Sequence, residues 1–259
     1  MNAIDKLFHL LEQFTDDKSQ WGVRELSARI GLSPNLTHWY LKNLERNRVV
    51  RKDPDSEKYE LGYRIFELAN RSSRLTVIRN AALSVMSELS HSTGGTTVLR
   101  VLDGAELLCL ASIEGPSSLR VHYAEGTRVP CNYGCVGKVL MAYGDERQAE
   151  KIFRINRIKK FTDRTVLDLP ALRRDWAKIR LRGWAYTNGE TIPGARAVAA
   201  PVWDSSGRVC AGLGVTFPSV ALPKSRVNRL AQAVVEAANK ISRELGWMGS
   251  VPKKVTKAG

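Results

Sequence analysis

The chain has 259 residues, 43% hydrophobic and 25% charged, a composition that suits one large folded domain or two ordinary ones. No run approaches the ~20 apolar residues of a membrane helix, and the amino terminus MNAIDKLFHLLEQF has no small-residue cleavage site, so a cytoplasmic protein is expected. The net charge of +14 does not by itself indicate nucleic acid: residues 1–70 hold 11 Lys+Arg and 11 Asp+Glu, and the excess lies downstream, where it suits a solvated surface, an anionic ligand or non-specific DNA affinity.

In chain order, Ile4, Leu7, Leu10, Leu11 and Phe14 form the apolar stripe of a first helix. After the polar turn Asp16-Asp17-Lys18, Val23, Leu26 and Ile30 make a second stripe. Gly31 stands where a helix end needs a left-handed residue. Ser33 and Pro34 then restart the helix as cap and first-turn residue. In this third helix Thr37, Tyr40, Leu41 and Leu44 form the inner face, while Asn35, Leu36, His38, Trp39, Lys42 and Asn43 point away. Two short strands, 49–52 and 57–61, follow around DPDS. A helix–turn–helix with a hairpin wing lays its last helix in the major groove and its wing on the backbone. Residues 33–52 carry Lys42, Arg46, Arg48, Arg51 and Lys52 against Glu45 alone, a bias toward phosphate.

From Tyr63 to about Thr93 a helical stretch carries Leu75, Ile78, Ala82, Val85 and Leu89 at heptad-like steps, expected to pack on a partner subunit, the next domain, or both. Gly94-Gly95 marks a boundary. Strand-like runs at 96–102 and 105–112 flank Asp103-Gly104, a hairpin signal. A third run, 118–123, precedes the loop EGTRVPCNYGC and a helix from about Gly134. Helices are expected over 145–155 and 168–182, strands over 183–187, 195–203 and 209–217, and a last helix after Pro223. Residues 248–259 form a basic tail expected to be disordered. The second half is therefore an antiparallel sheet with helices on its faces, and the whole chain is α+β.

Catalysis finds no support. The histidines at 9, 38, 91 and 122 are scattered, and GxSxG, HExxH and GxGxxG are absent. Cys109 and Cys210 sit in apolar runs, and Cys131 with Cys135 matches no zinc spacing, so neither metal nor cofactor is expected. GCVGK lacks the phosphate-loop spacing. The loop 130–138 is the best ligand candidate, because Asn132, Tyr133, Gly134 and Cys135 lead into a helix whose exposed N–H groups favour an anion.

Three segments, GLSPNLTHWYLKNLERNRVVRKDPDSEKYELG, EGTRVPCNYGCVGKVLMA and RGWAYTNGETIPGARAVAAPVWDSSGRVCAGLGV, together resemble the IclR family of bacterial transcription regulators. The resemblance implies a winged helix–turn–helix over 1–62, a linker and dimerisation helix over 63–93, and a GAF-like effector-binding domain over 94–247. It implies a homodimer or dimer of dimers on double-stranded operator DNA. Carried over position by position, it places Thr187, Glu190, Ala197, Gly214 and Thr216 in the effector pocket. The family often has an acid where Thr187 stands and a polar or thiol residue where Ala197 and Gly214 stand. The pocket is then less polar than usual, which suits an aromatic or partly apolar acid. The DNA-facing set is Ser33, Asn35, Leu36, His38, Trp39 and Lys42 with Arg51, Lys52 and Lys58 of the wing. Here the chain departs from the family, whose Ser-Thr pair and following Arg are replaced by Asn35, Leu36 and Trp39, and whose wing Gly is Arg48. Losing that Arg removes a forked donor for guanine or phosphate. A ligand sensor with weakened DNA binding is therefore the alternative to a ligand-responsive regulator, and an enzyme on the sheet domain is a third.

Overall fold

A computed structural model describes residues 2–15, 17–71, 73–116, 120–154 and 158–249. It forms two compact units, Met1–Thr76 and Val77–Gly259.

The first unit opens with α1 (Ala3–Leu11), which begins in a capping box between Asn2 and Asp5. Then come α2 (Val23–Ile30) and α3 (Pro34–Arg46). Gly31 ends α2 at φ +67, a conformation that carries a steric cost for any residue with a Cβ. The Ser33 hydroxyl accepts from Leu36 N and caps α3. Strands β1 (Val50–Lys52) and β2 (Tyr59–Leu61) pair antiparallel as the wing. Trp21 adds a backbone bridge to Tyr59, which ties the wing to the segment before α2. Leu10, Trp21, Leu26, Ile30, Tyr40, Leu41, Leu44, Val50 and Tyr59 close the core. Fully buried leucines such as Leu26 and Leu41 contribute roughly 1.5–3 kcal/mol each. Leu36 packs partly against this core, so it is only half turned outward.

In the helical stretch after the wing, the described residues form α4 (Tyr63–Arg71) and α5 (Ser73–Thr93). The division of the chain into two units falls between Thr76 and Val77, in the sequence of α5. Its heptad-like stripe has its own use: Ile78, Ala82, Val85 and Leu89 are buried within the second unit together with Met86. The Met86 carbonyl accepts from Thr97 Oγ1, and the Ser90 hydroxyl donates to Gly95 O. α4 buries none of its residues, and Tyr63, Phe66 and Leu68 stand exposed on it.

In the second unit, β3 (Thr96–Asp103), β4 (Glu106–Ile113), β5 (Arg128–Pro130), β6 (Ala185–Asn188), β7 (Ala195–Trp203) and β8 (Val209–Pro218) form one antiparallel sheet in the order β5-β4-β3-β8-β7-β6. Residues 120–123 carry no strand, and 118–119 of that expected run lie outside the described residues. The third strand beside β4 is instead β5, within the segment read as loop. Helices α6 (Gly134–Tyr143) and α8 (Leu169–Arg182) cover one face, with α7 (Glu146–Arg154) between them in sequence. The last helix, α9 (Val227–Glu244), follows a 3-10 turn and packs on β7 and β8. Of the expected disordered tail, residues 250–259 lie outside the described residues. The helix α6 lies directly on the sheet because Gly212 and Gly214 present no side chain: a Cβ on either would come within 2.8 Å of a Val136 methyl.

Arg48 occupies the left-handed position after α3 at φ 61, where Val49 N donates to Leu44 O and closes the helix end. A non-glycine residue there costs about 1–2 kcal/mol, partly offset by the chain entropy that glycine would lose. Arg48→Gly should therefore raise the stability of the first unit by up to ~1 kcal/mol and Arg48→Val should lower it, read as urea midpoints. A lower midpoint for Arg48→Gly would refute the strain.

Candidate functional site

Two surfaces carry the chemistry, one in each unit. On α3, Asn35 and His38 are exposed, and Trp39 is 58% exposed with its ring edge-on to Tyr40 at 5.2 Å. Most other members of the DNA-facing set have local duties. Ser33 caps the helix, Lys42 pairs with Glu45 at 2.8 Å, Lys52 pairs with Glu57 at 3.0 Å, and Arg51 pairs with Glu60. The two lysine pairs are largely solvated and hold their side chains only weakly, whereas Glu60 is 19% exposed and also accepts from Gln20. Lys58 is exposed, with no carboxylate in ion-pair range among the described residues.

In the second unit a half-open cavity lies between the start of α6 and the sheet. Tyr133, Gly134 and Cys135 reach it from the helix start, Thr187, Ala197 and Thr216 from β6, β7 and β8, and Glu190 from the turn after β6. Seven of the nine residues expected in the effector site thus come together.

Two do not. Asn132 turns to the opposite side, where its amide donates to Lys159 O at 2.8 Å and its oxygen accepts from Lys159 N. It lines a second cavity with Lys138, Met141, Leu172, Trp176 and Glu190. Gly214 lies under α6 against Val136 and Val98, so it permits helix packing and opens no space.

Residues absent from the expected set also line the cavity, above all Arg100 of β3 and Tyr123 of the segment before β5. Arg100 is 3% exposed, in the middle of β3, just after an irregularity in the β3–β4 register. Such irregularities re-aim side chains. Its guanidinium carbon lies 4.6 Å from the Tyr123 ring centroid and 5.0 Å from that of Tyr133. The Tyr123 hydroxyl is 3.0 Å from Thr216 Oγ1. Burial pushes the Tyr123 phenol up to about 12, against the opposing pull of Thr216 and Arg100. Arg100 could have been noticed as the one charge inside the apolar run TTVLRVL.

The cysteines are poor nucleophiles. Burial pushes Cys135 up to about 12 and Cys131 up to about 11, which keeps both protonated. All four are free and buried, and no metal-holding cluster of His, Cys, Asp and Glu occurs among the described residues. Lys138, the lysine of GCVGK, is buried and bound to Glu190 at 2.6 Å and Asp175 at 3.0 Å. Burial would lower its pKa, but the two carboxylates outweigh it and hold the ammonium above its ordinary range. Burial raises the Glu190 carboxyl, with Lys138 opposing. Among the described residues, no helix is long and apolar enough to cross a membrane.

Comparison with known proteins agrees with both units. The model of the IclR helix-turn-helix domain matches residues 3–54, and that of the bacterial transcriptional regulator IclR C-terminal domain matches residues 72–243. The regulator BhcR of Paracoccus denitrificans is 29% identical over 98% of this chain and 89% of its own length. KdgR of Escherichia coli K12 is 30% identical over 95% of this chain and 94% of its own. Among solved structures, the Thermotoga maritima IclR protein superposes with a TM-score of 0.78 at 26% identity, over 95% of this chain and all of that one. An IclR homolog from Microbacterium hydrocarbonoxydans, complexed with 4-hydroxybenzoate, shares the fold with a TM-score of 0.82 at 24% identity, over 94% of this chain and 99% of that one. A winged helix–turn–helix followed by this sheet domain, matched along nearly its whole length, makes the chain a DNA-binding transcription regulator of the IclR family, not an enzyme.

Proposed function

We propose that the protein is a cytoplasmic regulator whose hold on operator DNA is modulated by a small anionic metabolite in the cavity at the start of α6. The observation that carries this is the convergence of residues from α6 and four strands on one cavity that also holds a positive charge. Small-molecule sites are typically such largely preformed concavities with a few polar groups. The bound 4-hydroxybenzoate of the Microbacterium hydrocarbonoxydans homolog supports a carboxylate, aromatic or partly apolar, as the effector here. Residues 1–62 would then read DNA, 63–93 link and dimerise, and 94–247 sense the ligand.

In the DNA-binding unit, Asn35, His38 and Trp39 are assigned to base edges, and Lys42, Arg51, Lys52 and Lys58 to phosphates. Ser33 and Leu36 act through the geometry of α3. Base-edge contacts are worth roughly 1–3 kcal/mol each, whereas phosphate contacts set the salt slope. Asn35→Ala should relax sequence preference, and Lys58→Ala should weaken operator and random DNA alike. Unchanged preference in Asn35→Ala, measured by competition with random duplex, would remove Asn35 from the contact set.

Exposed Tyr63, Phe66 and Leu68 on α4 supply the apolar surface for a second copy of the chain. A two-fold dimer implies a palindromic operator. Sedimentation at micromolar concentration should show a dimer or a dimer of dimers, and Phe66→Asp should shift it toward monomer. A monomeric wild type defeats the assignment.

Ala197 is the wall where added volume meets the ligand first, since it lines the cavity between Thr187 and Thr216. Ala197→Leu should cut the thermal shift given by an effector carboxylate by at least ~10-fold in apparent affinity while the full chain still binds its operator. Full retention of the shift places the ligand elsewhere.

A further inference from the structure

Resting on the effector pocket proposed above, we infer that Arg100 is the anion receptor of the cavity and that Glu190 restricts the ligand to a single carboxylate. Arg100 is an arginine buried to 3% exposure whose Nε has no hydrogen-bond partner. Among the described residues no carboxylate comes within ion-pair range of it. A buried guanidinium ordinarily has a carboxylate, because leaving the charge uncompensated is costly. What surrounds this one is the rings of Tyr123 and Tyr133 and the thiol of Cys109. These stabilise a cation without neutralising it. The missing partner is therefore a ligand, and the planar fork of the guanidinium suits a carboxylate.

The same cavity is lined by Glu190, whose carboxylate is held by Lys138. Lys138 is itself shared with Asp175, so this triad brings two negative charges against one positive. A second carboxylate on the ligand would meet Glu190 as a like charge, whereas a hydroxyl or amino group would find an acceptor there and in the hydroxyls of Thr187 and Thr191. The walls between are Val98, Val136, Ile192 and Ala197. The ligand class is a monocarboxylic acid with an apolar body and a hydrogen-bond donor away from the carboxylate.

The test uses the full chain and two matched sets of compounds. One set is 4-hydroxybenzoate, 4-hydroxybenzamide and terephthalate, and the other is 3-hydroxypropanoate, its primary amide and malonate. Thermal shift and titration calorimetry should show the hydroxy acid of at least one set binding about 10- to 100-fold more tightly than its amide and its diacid, the range of a charge-assisted hydrogen bond. In Arg100→Gln that acid should bind no better than its amide. Ligand-free Arg100→Met should melt no lower than the wild type, since it removes an unpaired buried charge, whereas an arginine with a purely structural role would lower the midpoint. Acid and amide binding the wild type equally would overturn the assignment, as would undiminished acid binding by Arg100→Gln or no binding of any of the six compounds. The acid-against-amide comparison needs no variant, so misfolding of a mutant leaves it decisive. Ala197→Leu separates the two levels: if it abolishes binding while Arg100→Gln does not, the cavity stands and the receptor falls. If Ala197→Leu leaves binding intact, both fall.

Discussion

The second unit depends on how closely α6 can lie on the sheet. Where most helices stand off a sheet by the length of their side chains, α6 meets Gly212 and Gly214 on β8 and Ala197 and Ala199 on β7, and Val136 fills the space a Cβ would need. This contact sets the height of the helix start above β3, β7 and β8. It therefore sets the depth of the cavity that Tyr133, Gly134 and Cys135 roof and Thr216 and Ala197 floor. Because protein interiors are close-packed, a shift of α6 caused by a bound ligand cannot be absorbed locally and must move what the helix touches. Its partners are α8 and the strands β3, β6, β7 and β8. Glu190, which lines the cavity, is joined through Lys138 of α6 to Asp175 of α8, so the ligand site and both covering helices share one ionic cluster.

The first unit works by a different economy. Its core is small and its helices are held by caps, the Trp21–Tyr59 bridge and a handful of leucines and aromatics. Its charge is balanced overall, and Lys42, Arg51 and Lys52 each have a carboxylate neighbour on the same surface. On the DNA contacts proposed above, phosphate would compete with these carboxylates, which would lower non-specific affinity and leave proportionately more to Asn35, His38 and Trp39. The loss of the family's arginine in α3 acts in the same direction. Under the proposed dimer, two copies on one site would make up the affinity that each unit gives up, which gives weight to the exposed apolar face of α4.

The helices of the first unit were legible almost residue by residue, because their signals are local: Gly31, the Ser33 cap, Pro34 and the stripe of Thr37, Tyr40, Leu41 and Leu44 act within a turn or two of where they stand. The antiparallel sheet was also legible from its strand runs and the Asp103-Gly104 turn. What sequence left open or missed was non-local. The stripe Ile78–Ala82–Val85–Leu89 declares an apolar face whose partner could be another subunit, the next domain or both, and it is buried within the chain's own second unit. The strand β5 is three residues ending in proline, at the sheet edge, too short for periodicity to show. Gly214 is expected in the pocket wall because a glycine in sequence carries no sign of whether its empty side is filled by a neighbour; here Val136 fills it. Likewise Asn132 is in the right loop but on its other side, held by Lys159, twenty-seven residues on.

Arg100 and Lys138 show why burial of charge is a better guide to the site than motif. Both are basic residues inside the second unit, and sequence drew attention to Lys138 because GCVGK looks like a phosphate loop. Lys138 has two carboxylates, and with its charge compensated by the fold it holds α6 to α8 and to the turn at Glu190. Arg100 stands on a central strand in a run of apolar residues, where a leucine would pack without cost, and no side chain among those described neutralises it. Folding alone gives no reason to keep a charge there, since an apolar replacement of similar volume would be at least as stable. The free energy given up by burying it is recovered only when an anion enters, so the same unpaired charge that weakens the empty domain strengthens the occupied one. That difference between the two states is what a ligand needs in order to shift a population of conformers, because a ligand indifferent to them shifts nothing however tightly it binds.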